Sequence, residues 1–420
     1  MYRSLADMEN FPKSFLWGAA TSAHQVEGGN HNDWGQWEMA NAERLAREAE
    51  KKYGHLSSWE RIKDQATDPR NYISGRACDQ YNRYEEDFDI AKSLGHTAHR
   101  FSIEWSRIEP CDGKFDEKEI EHYRQVIRAL RARGLEPFIT LWHWTLPLWL
   151  AKNGGILNRR FSEYFKRYVT KLAEVFGAEI NFWITINEPE IYALNSYYRG
   201  MWPPQKTGLI NFFRATHALH CAHKNAYRAI KKINPNAKIG ASLNMSYFES
   251  AGDFLSEAME WAANLLWNRR FLQHIRKELD FIGINYYFHN RIKGFRFNQN
   301  ENKKTSDMGW EIYSEGLYRV LSDVKQFQLP MYITENGVAD MNDEFRADFI
   351  LDHVSEMKRA MVQGADVRGY FYWSLLDNFE WDKGFWPRFG LVEIDHKTQK
   401  RKIRSSAFEY AKIISRHVNE

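Results

Sequence analysis

The stretch Trp183–Ile191, WITINEPEI, is an apolar, β-branched run of strand composition that ends abruptly in Asn187, Glu188 and the helix-breaking Pro189. Met331–Val338, MYITENGV, repeats the pattern, with Glu335 and Asn336 ahead of Gly337. Runs this apolar have no wet face, so they belong in a sheet covered on both sides, and their polar ends mark where the chain leaves it.

Six further runs of the same kind lie on either side: FLWGAATSA (15–23), AHRFSIEW (98–105), PFITLWHW (137–144), KIGASLN (238–244), FIGINYY (281–287) and VRGYFYWSLL (367–376). Between them lie segments of helical period, among them 80–95, 117–134 and 342–364, each closed by a Gly where a helix C-cap sits. Strand–helix alternation repeated eight times predicts an α/β fold, the (β/α)8 TIM barrel, as a single domain over 1–420 with elaborated βα loops. No linker, low-complexity tract or internal repeat interrupts it. A charged helical excursion at about 38–75 falls in the first βα loop, where it either walls the rim or forms a solvated detour.

Such barrels place their chemistry at the C-terminal ends of strands, so Glu188 and Glu335 are expected on one rim. A single Glu there reads as an ordinary solvated carboxylate. Two at equivalent strand ends, each followed by a chain-turning Pro or Gly, read as a pair.

The 58 basic and 55 acidic side chains nearly balance, without a basic block interleaved with aromatics, so no nucleic-acid partner is expected. The opening MYRSLADMENFPKSFLWG lacks an apolar export core and no run of 18 apolar residues occurs, which predicts a cytoplasmic protein with no membrane association. Cys78, Cys111 and Cys221 show no C-x-x-C spacing; they argue against zinc and a disulfide framework and are expected as buried free thiols. Aromatic content of 15%, with 16 tryptophans, suits either a Trp-rich core or flat faces that stack on sugar rings. Paired carboxylates among tryptophans, with no metal-ligand cluster, suit glycoside cleavage. In a retaining mechanism the two carboxyls stand about 5–5.5 Å apart and resist ionising together, so the less supported one keeps its proton. Arg100 is the candidate to hold the other one anionic.

The motifs FPKSFLWGAATSAHQVEG, HRFSIEWSRIEP, TLWHWTLP, TINEP, GINYY, ITENG and YWSLLDNFEW…RFGL resemble, in order, the signatures of glycoside hydrolase family 1, the β-glucosidase and β-galactosidase family. The resemblance covers the chain from about Phe11 to the last helix. It implies a (β/α)8 barrel and retaining exo-hydrolysis of small β-glycosides or oligosaccharides without a cofactor or metal. Carried over by motif, Glu188 resembles the acid/base and Glu335 the nucleophile, while Arg100 and Tyr287 resemble the residues that keep the nucleophile ionised and aimed. Asn187 is implied to bind the 2-hydroxyl. Gln25, His143, Glu380 and Trp381 are implied to grip the other hydroxyls, with Trp373 stacked beneath the ring, Trp310 as leaving-group platform and Asn285 as a supporting contact. A carboxylate at Glu380 disfavours a 6-phosphorylated sugar.

Three features depart from the family's usual pattern: Thr145 where Asp is common, Ser314 where Pro is common, and an abbreviated segment after the fifth strand. Glu104, where many members carry Ser, resembles the archaeal-type branch, which tolerates both gluco and galacto sugars. A mainly transglycosylating enzyme and an inactive sugar-binding barrel are the alternatives, and a homo-oligomer is compatible with the sequence.

Overall fold

In a computed structural model, which describes residues 11–418, eight parallel strands close into a barrel in sequence order. They are β1 (Leu16–Ala20), β2 (Ala98–Ser102), β3 (Glu136–Thr140), β4 (Phe182–Asn187), β5 (Lys238–Ser250), β6 (Phe281–Ile292), β7 (Met331–Asn336) and β8 (Val367–Trp373). Closure is made by β1 against β8, from Leu16↔Gly369 to Ala20↔Trp373. Every residue of β2 and β7 is buried, as strands without a wet face require. Helices fill the connections, and the fold is the (β/α)8 barrel.

Aromatic side chains meet inside the barrel. Phe138 stacks on Phe182 at 4.1 Å between ring centroids and lies 4.7 Å from Phe371, and Phe281 packs on Tyr332 at 5.1 Å. Trp17, Trp34, Trp105, Trp142, Trp183 and Trp386 are almost fully buried, so much of the tryptophan content is core. This packed centre supports the rim where the strands end.

Several boundaries differ from the sequence reading for physical reasons. β5 and β6 run on to Ser250 and Ile292, past the expected ends at 244 and 287, and continue to pair with each other from Met245↔Tyr286 to Ser250↔Ile292. Their outer halves carry polar residues because only two strands project there, above the barrel core. The helix expected from 342 begins at Arg346; the residues before it form a loop around Asp340, whose carboxylate accepts from the backbone N–H groups of Glu344, Phe345 and Arg346 at 3.1, 2.9 and 3.0 Å. Gly134 at φ +69° and Gly364 at φ +89° follow helix ends in the left-handed region, as C-cap glycines do.

The first βα loop carries a helix over Asp33–Tyr53, which starts before residue 38 because Asn32 caps it, accepting from the Gly35 N–H. A second helix covers Trp59–Ala66. The long helix buries Trp34, Trp37, Leu45 and Ala49 and brings Lys52 to Asp382 at 2.9 Å. The three cysteines are free, but only Cys78 is buried: Cys221 is half-buried and Cys111 sits exposed in a turn, contrary to the expectation for all three. Among the described residues no helix is long and apolar enough to cross a membrane.

Candidate active site

The ladder register slips at three places on the rim beside candidate residues: between Ile184 and Asn187 in β4/β5, between Ile284 and Asn285 in β6/β7, and between Ile333 and Asn336 in β7/β8. Irregularities of this kind re-aim side chains beside functional sites. Glu188 leaves β4 at φ +42°, ψ +60°, a left-handed conformation uncommon without glycine. Strict alternation would send neighbours to opposite faces. The turn instead lets consecutive Asn187 and Glu188 both line one cavity of about 710 Å³, together with Glu335.

Glu335 is buried near the end of β7. One carboxylate oxygen accepts from Arg100 Nη1 at 2.6 Å and the other from Tyr287 OH at 2.9 Å. Arg100 is wholly buried on β2 and fixed on every side: it donates to the Thr334 carbonyl (2.9 Å), Thr140 Oγ1 (3.1 Å) and Asn187 Oδ1 (2.6 Å). Burial raises the Glu335 carboxyl above its ordinary range, while the Arg100 charge and the hydrogen bonds from Arg100 and Tyr287 pull against that rise.

Glu188 has no such guanidinium in contact. A single oxygen accepts from two neutral amides, Asn285 Nδ2 at 2.9 Å and Asn244 Nδ2 at 3.1 Å. Burial, and then the Glu335 charge, push its carboxyl up to about 8. Of the two carboxyls, Glu188 is thus the one whose surroundings more strongly favour the protonated form.

Gln25, His143, Trp310, Trp373, Glu380, Trp381 and Tyr287 line the same cavity; Arg100 and Asn285 lie behind its wall, bonded to the carboxyls and to Asn187. Thus all twelve candidates converge. His143 is neutral, its imidazole pKa held well below the ordinary value by burial and by Arg100, and its Nε2 meets the Asn187 amide at 3.2 Å. Its ring lies nearly parallel to those of Trp373 (18°) and Trp381 (12°). Gln25 Nε2 donates to Asn378 Oδ1 at 3.0 Å, to the Phe379 carbonyl at 2.9 Å and to Glu380 at 3.4 Å, tying β1 to the loop after β8. Burial pushes Glu380 up to about 8, with Lys383 opposing.

Asn244 escaped the sequence reading, although it ends the KIGASLN run just as Asn187 ends β4. Thr145 and Glu104, which both depart from the resembled pattern, are partners: Thr145 Oγ1 lies 2.9 and 3.1 Å from the two Glu104 carboxylate oxygens and donates to that carboxylate. Glu104 also accepts from Ser106 Oγ at 2.7 Å and Asn32 Nδ2 at 3.3 Å.

A (β/α)8 barrel whose rim holds two buried carboxyls of unlike environment in an aromatic-walled cavity is a glycoside-cleaving barrel enzyme. Comparison with known proteins narrows the class. The chain belongs to glycosyl hydrolase family 1, whose family model matches residues 7–274 and 251–419. It is 33% identical to beta-glucosidase A of Thermotoga maritima, over 97% of this chain and 98% of that one. Among solved structures it resembles a beta-glycosidase from Pyrococcus horikoshii (TM-score 0.85, 35% identity, 97% and 95% of the two chains covered). It also resembles the Thermotoga maritima beta-glucosidase in complex with deoxynojirimycin (TM-score 0.84, 31% identity, 97% and 99% covered).

Proposed function

We propose that this chain is a retaining exo-β-glycosidase that hydrolyses unphosphorylated β-glucosides, with β-galactosides and β-fucosides as secondary substrates, acting as one catalytic domain. The observation that carries the reading is the asymmetry of the carboxyls: Glu335 contacts Arg100, and Glu188, held only by amides, is pushed up to about 8.

In the first step the Glu335 carboxylate attacks the anomeric carbon while Glu188 passes its proton to the glycosidic oxygen, so the aglycone leaves as an alcohol and a glycosyl ester remains on Glu335. Esterification removes the Glu335 charge, one of the two influences that raise the Glu188 carboxyl. Glu188 thereby becomes a stronger acid and its carboxylate is available as a base. It then takes a proton from water, whose oxygen displaces Glu335 from the sugar and restores both groups. Arg100 and Tyr287 hold the nucleophile ionised and aimed. Asn187, fixed between Arg100 and His143, is set to bond the 2-hydroxyl, where a bond that strengthens in the transition state raises the rate.

Gln25, His143, Glu380 and Trp381 grip the remaining hydroxyls above Trp373, and Trp310 faces the leaving group. That the Thermotoga maritima beta-glucosidase is solved with a sugar-like inhibitor supports a small-glycoside ligand. The test is a panel of aryl glycosides with the first-formed anomer read by NMR. Cleavage of β-glucoside with release of β-glucose, and none of α-glucoside or 6-phospho-β-glucoside, is expected; release of α-glucose first would exclude retention.

A further inference from the structure

The turn after β8 that carries Glu380 and Trp381 is closed on itself: the Glu380 N–H donates to the Gly384 carbonyl at 2.7 Å, and the Lys383 and Gly384 N–H groups donate to the Glu380 and Trp381 carbonyls at 3.0 Å each. Trp381 stands at φ +51°, a left-handed conformation that a bulky residue keeps only where its surroundings impose it. Trp144 and His24 enclose its ring at 4.8 and 5.5 Å between centroids, and the rest of the enclosure comes from the first βα loop. Trp34 packs on Trp381 at 4.6 Å. The Asn71 side chain spans the turn, donating to the Lys383 carbonyl and accepting from the Phe385 N–H, both at 2.9 Å. A Cβ at Gly384 would stand 2.1 Å from the Asn71 carbonyl oxygen, so the two segments meet backbone to backbone.

A further tie is ionic. The Asp382 carboxylate accepts from Lys383 Nζ and from Lys52 Nζ, both at 2.9 Å. Lys383 belongs to the turn itself and cannot fix it to anything else; Lys52, in the last turn of the helix Asp33–Tyr53, does. Burial opposes the Asp382 charge, yet the two ammoniums hold its carboxyl well below the ordinary range. Glu380 feels the same groups: burial raises it, Lys383 opposes the rise, and the Glu335 and Asp382 charges add to it. The Tyr53 hydroxyl beside Lys52 makes no hydrogen bond among the described residues and does not share the tie. Ion pairs between exposed groups contribute little, but here the Asp382 side chain is 3% exposed and that of Lys52 36%. Without Lys52 the buried carboxylate would keep Lys383, so the loss falls on the link between the two segments and the fold is expected to survive it.

We propose that Lys52 is a positioning residue for sugar recognition: through Asp382 it fixes the turn that presents Glu380 and Trp381 to the sugar, which makes the first βα loop a determinant of hydroxyl specificity. The proposal rests on the β-glucosidase reading. With Glu188 and Glu335 at the anomeric carbon and Asn187 at the 2-hydroxyl, Glu380 serves one or more of the 3-, 4- and 6-hydroxyls. Its bonds form with the bound sugar and persist in the transition state, so their loss raises KM and leaves kcat. The charged excursion of the first loop thus walls the rim, and its Lys52 lines the cavity together with Glu380, Trp381, Asp382 and Lys383.

The experiment measures kcat and KM for p-nitrophenyl β-glucoside and its 3-deoxy, 4-deoxy and 6-deoxy analogues with the parent, Lys52→Met, Lys52→Arg, Asp382→Asn and the double variant of Lys52→Met and Asp382→Asn. Lys52→Met should raise KM for the glucoside about tenfold with kcat within about twofold, and the loss should shrink to about twofold on the analogue that lacks the hydroxyl held by Glu380. Lys52→Arg should recover most of the loss, and the double variant should fall no further than Asp382→Asn alone. An equal loss on all four substrates would mark a general structural role and overturn the proposal. So would a Lys52→Met enzyme indistinguishable from the parent, or single losses that multiply in the double variant, which would place Lys52 on the sugar itself. Silence of the parent toward every glucoside instead removes the β-glucosidase reading beneath it.

Discussion

In the proposed mechanism Glu188 supplies the leaving-group proton: burial and the neighbouring Glu335 charge both disfavour its ionised form, and of the two carboxyls Arg100 bonds only that of Glu335. With Glu188 as the proposed acid, kcat/KM for a poorly activated alkyl glucoside should fall as pH rises through about 8. Glu188→Gln should remove that basic limb and lower kcat about 10²–10⁴-fold, with little loss for dinitrophenyl leaving groups, which depart unassisted. A basic limb unchanged in Glu188→Gln would deny its role as acid. The Gly after the TEN triplet has its own physical account: a Cβ at Gly337 would stand 1.7 Å from the Trp373 carbonyl oxygen. Gly337→Ala must therefore move the end of β8, Trp373 included, and is expected to cost at least about tenfold in kcat/KM by misplacing Trp373, the proposed platform for the sugar, measured with p-nitrophenyl β-glucoside. The two glutamates were legible because each interrupts an apolar run at its end. Asn244 was not, since an Asn closing a strand is also ordinary turn chemistry. The Glu104–Thr145 contact, visible only as two unrelated departures, needed coordinates to become one hydrogen-bonded pair.

Whole strands and helices were easier to read. All eight strands announced themselves as apolar runs because burial on both faces leaves no polar alternation to confuse with a helix. The outer halves of β5 and β6 were missed for the converse reason: beyond the barrel core, stretches such as Met245–Ser250, MSYFES, carry the polarity of a loop while still pairing. The helix Arg346–Val362 begins later than its periodicity suggests because Asp340 collects three backbone N–H groups first. Asp340→Ala leaves those donors unpaired and should lower unfolding stability by about 2–3 kcal/mol, read from urea titration; a change under about 0.5 kcal/mol would show that water replaces the cap.

For the molecule as a whole, building a charged site inside a barrel makes stability depend on pH. Glu188, Glu190 and Glu380 are each pushed up to about 8 chiefly by burial. A carboxyl raised in the native state binds more protons there than in the unfolded chain between its ordinary value and about 8, so its contribution is complete at low pH and lost as pH rises across that window. Asp377 has the opposite sign. It is held below its ordinary value against burial by the charges of Arg404 and Arg388 and by bonds from Arg404 at 2.8 and 2.9 Å, and its contribution is lost as pH falls. Glu190 Oε2 finds no hydrogen-bond partner among the described residues. Glu190→Gln should flatten the decline in stability from pH 5 to 8 by up to about 1.4 kcal/mol per pH unit. An unchanged slope would mean that Glu190 is ionised throughout. Barrel class and reaction class thus followed from residue pattern and motif. The unlike surroundings of the carboxyls depend on contacts between segments far apart in sequence.

The proposed mechanism requires that Glu335 bond covalently to the sugar. The most direct measurement is intact-mass and peptide mass spectrometry after incubation with an activated 2-deoxy-2-fluoro-β-glucoside, whose glycosyl ester hydrolyses slowly. One fluoroglucosyl group per chain is expected, on the peptide containing Glu335, and none on Glu335→Gln. A label on Glu188, or turnover of β-glucosides undiminished in Glu335→Gln, would contradict it.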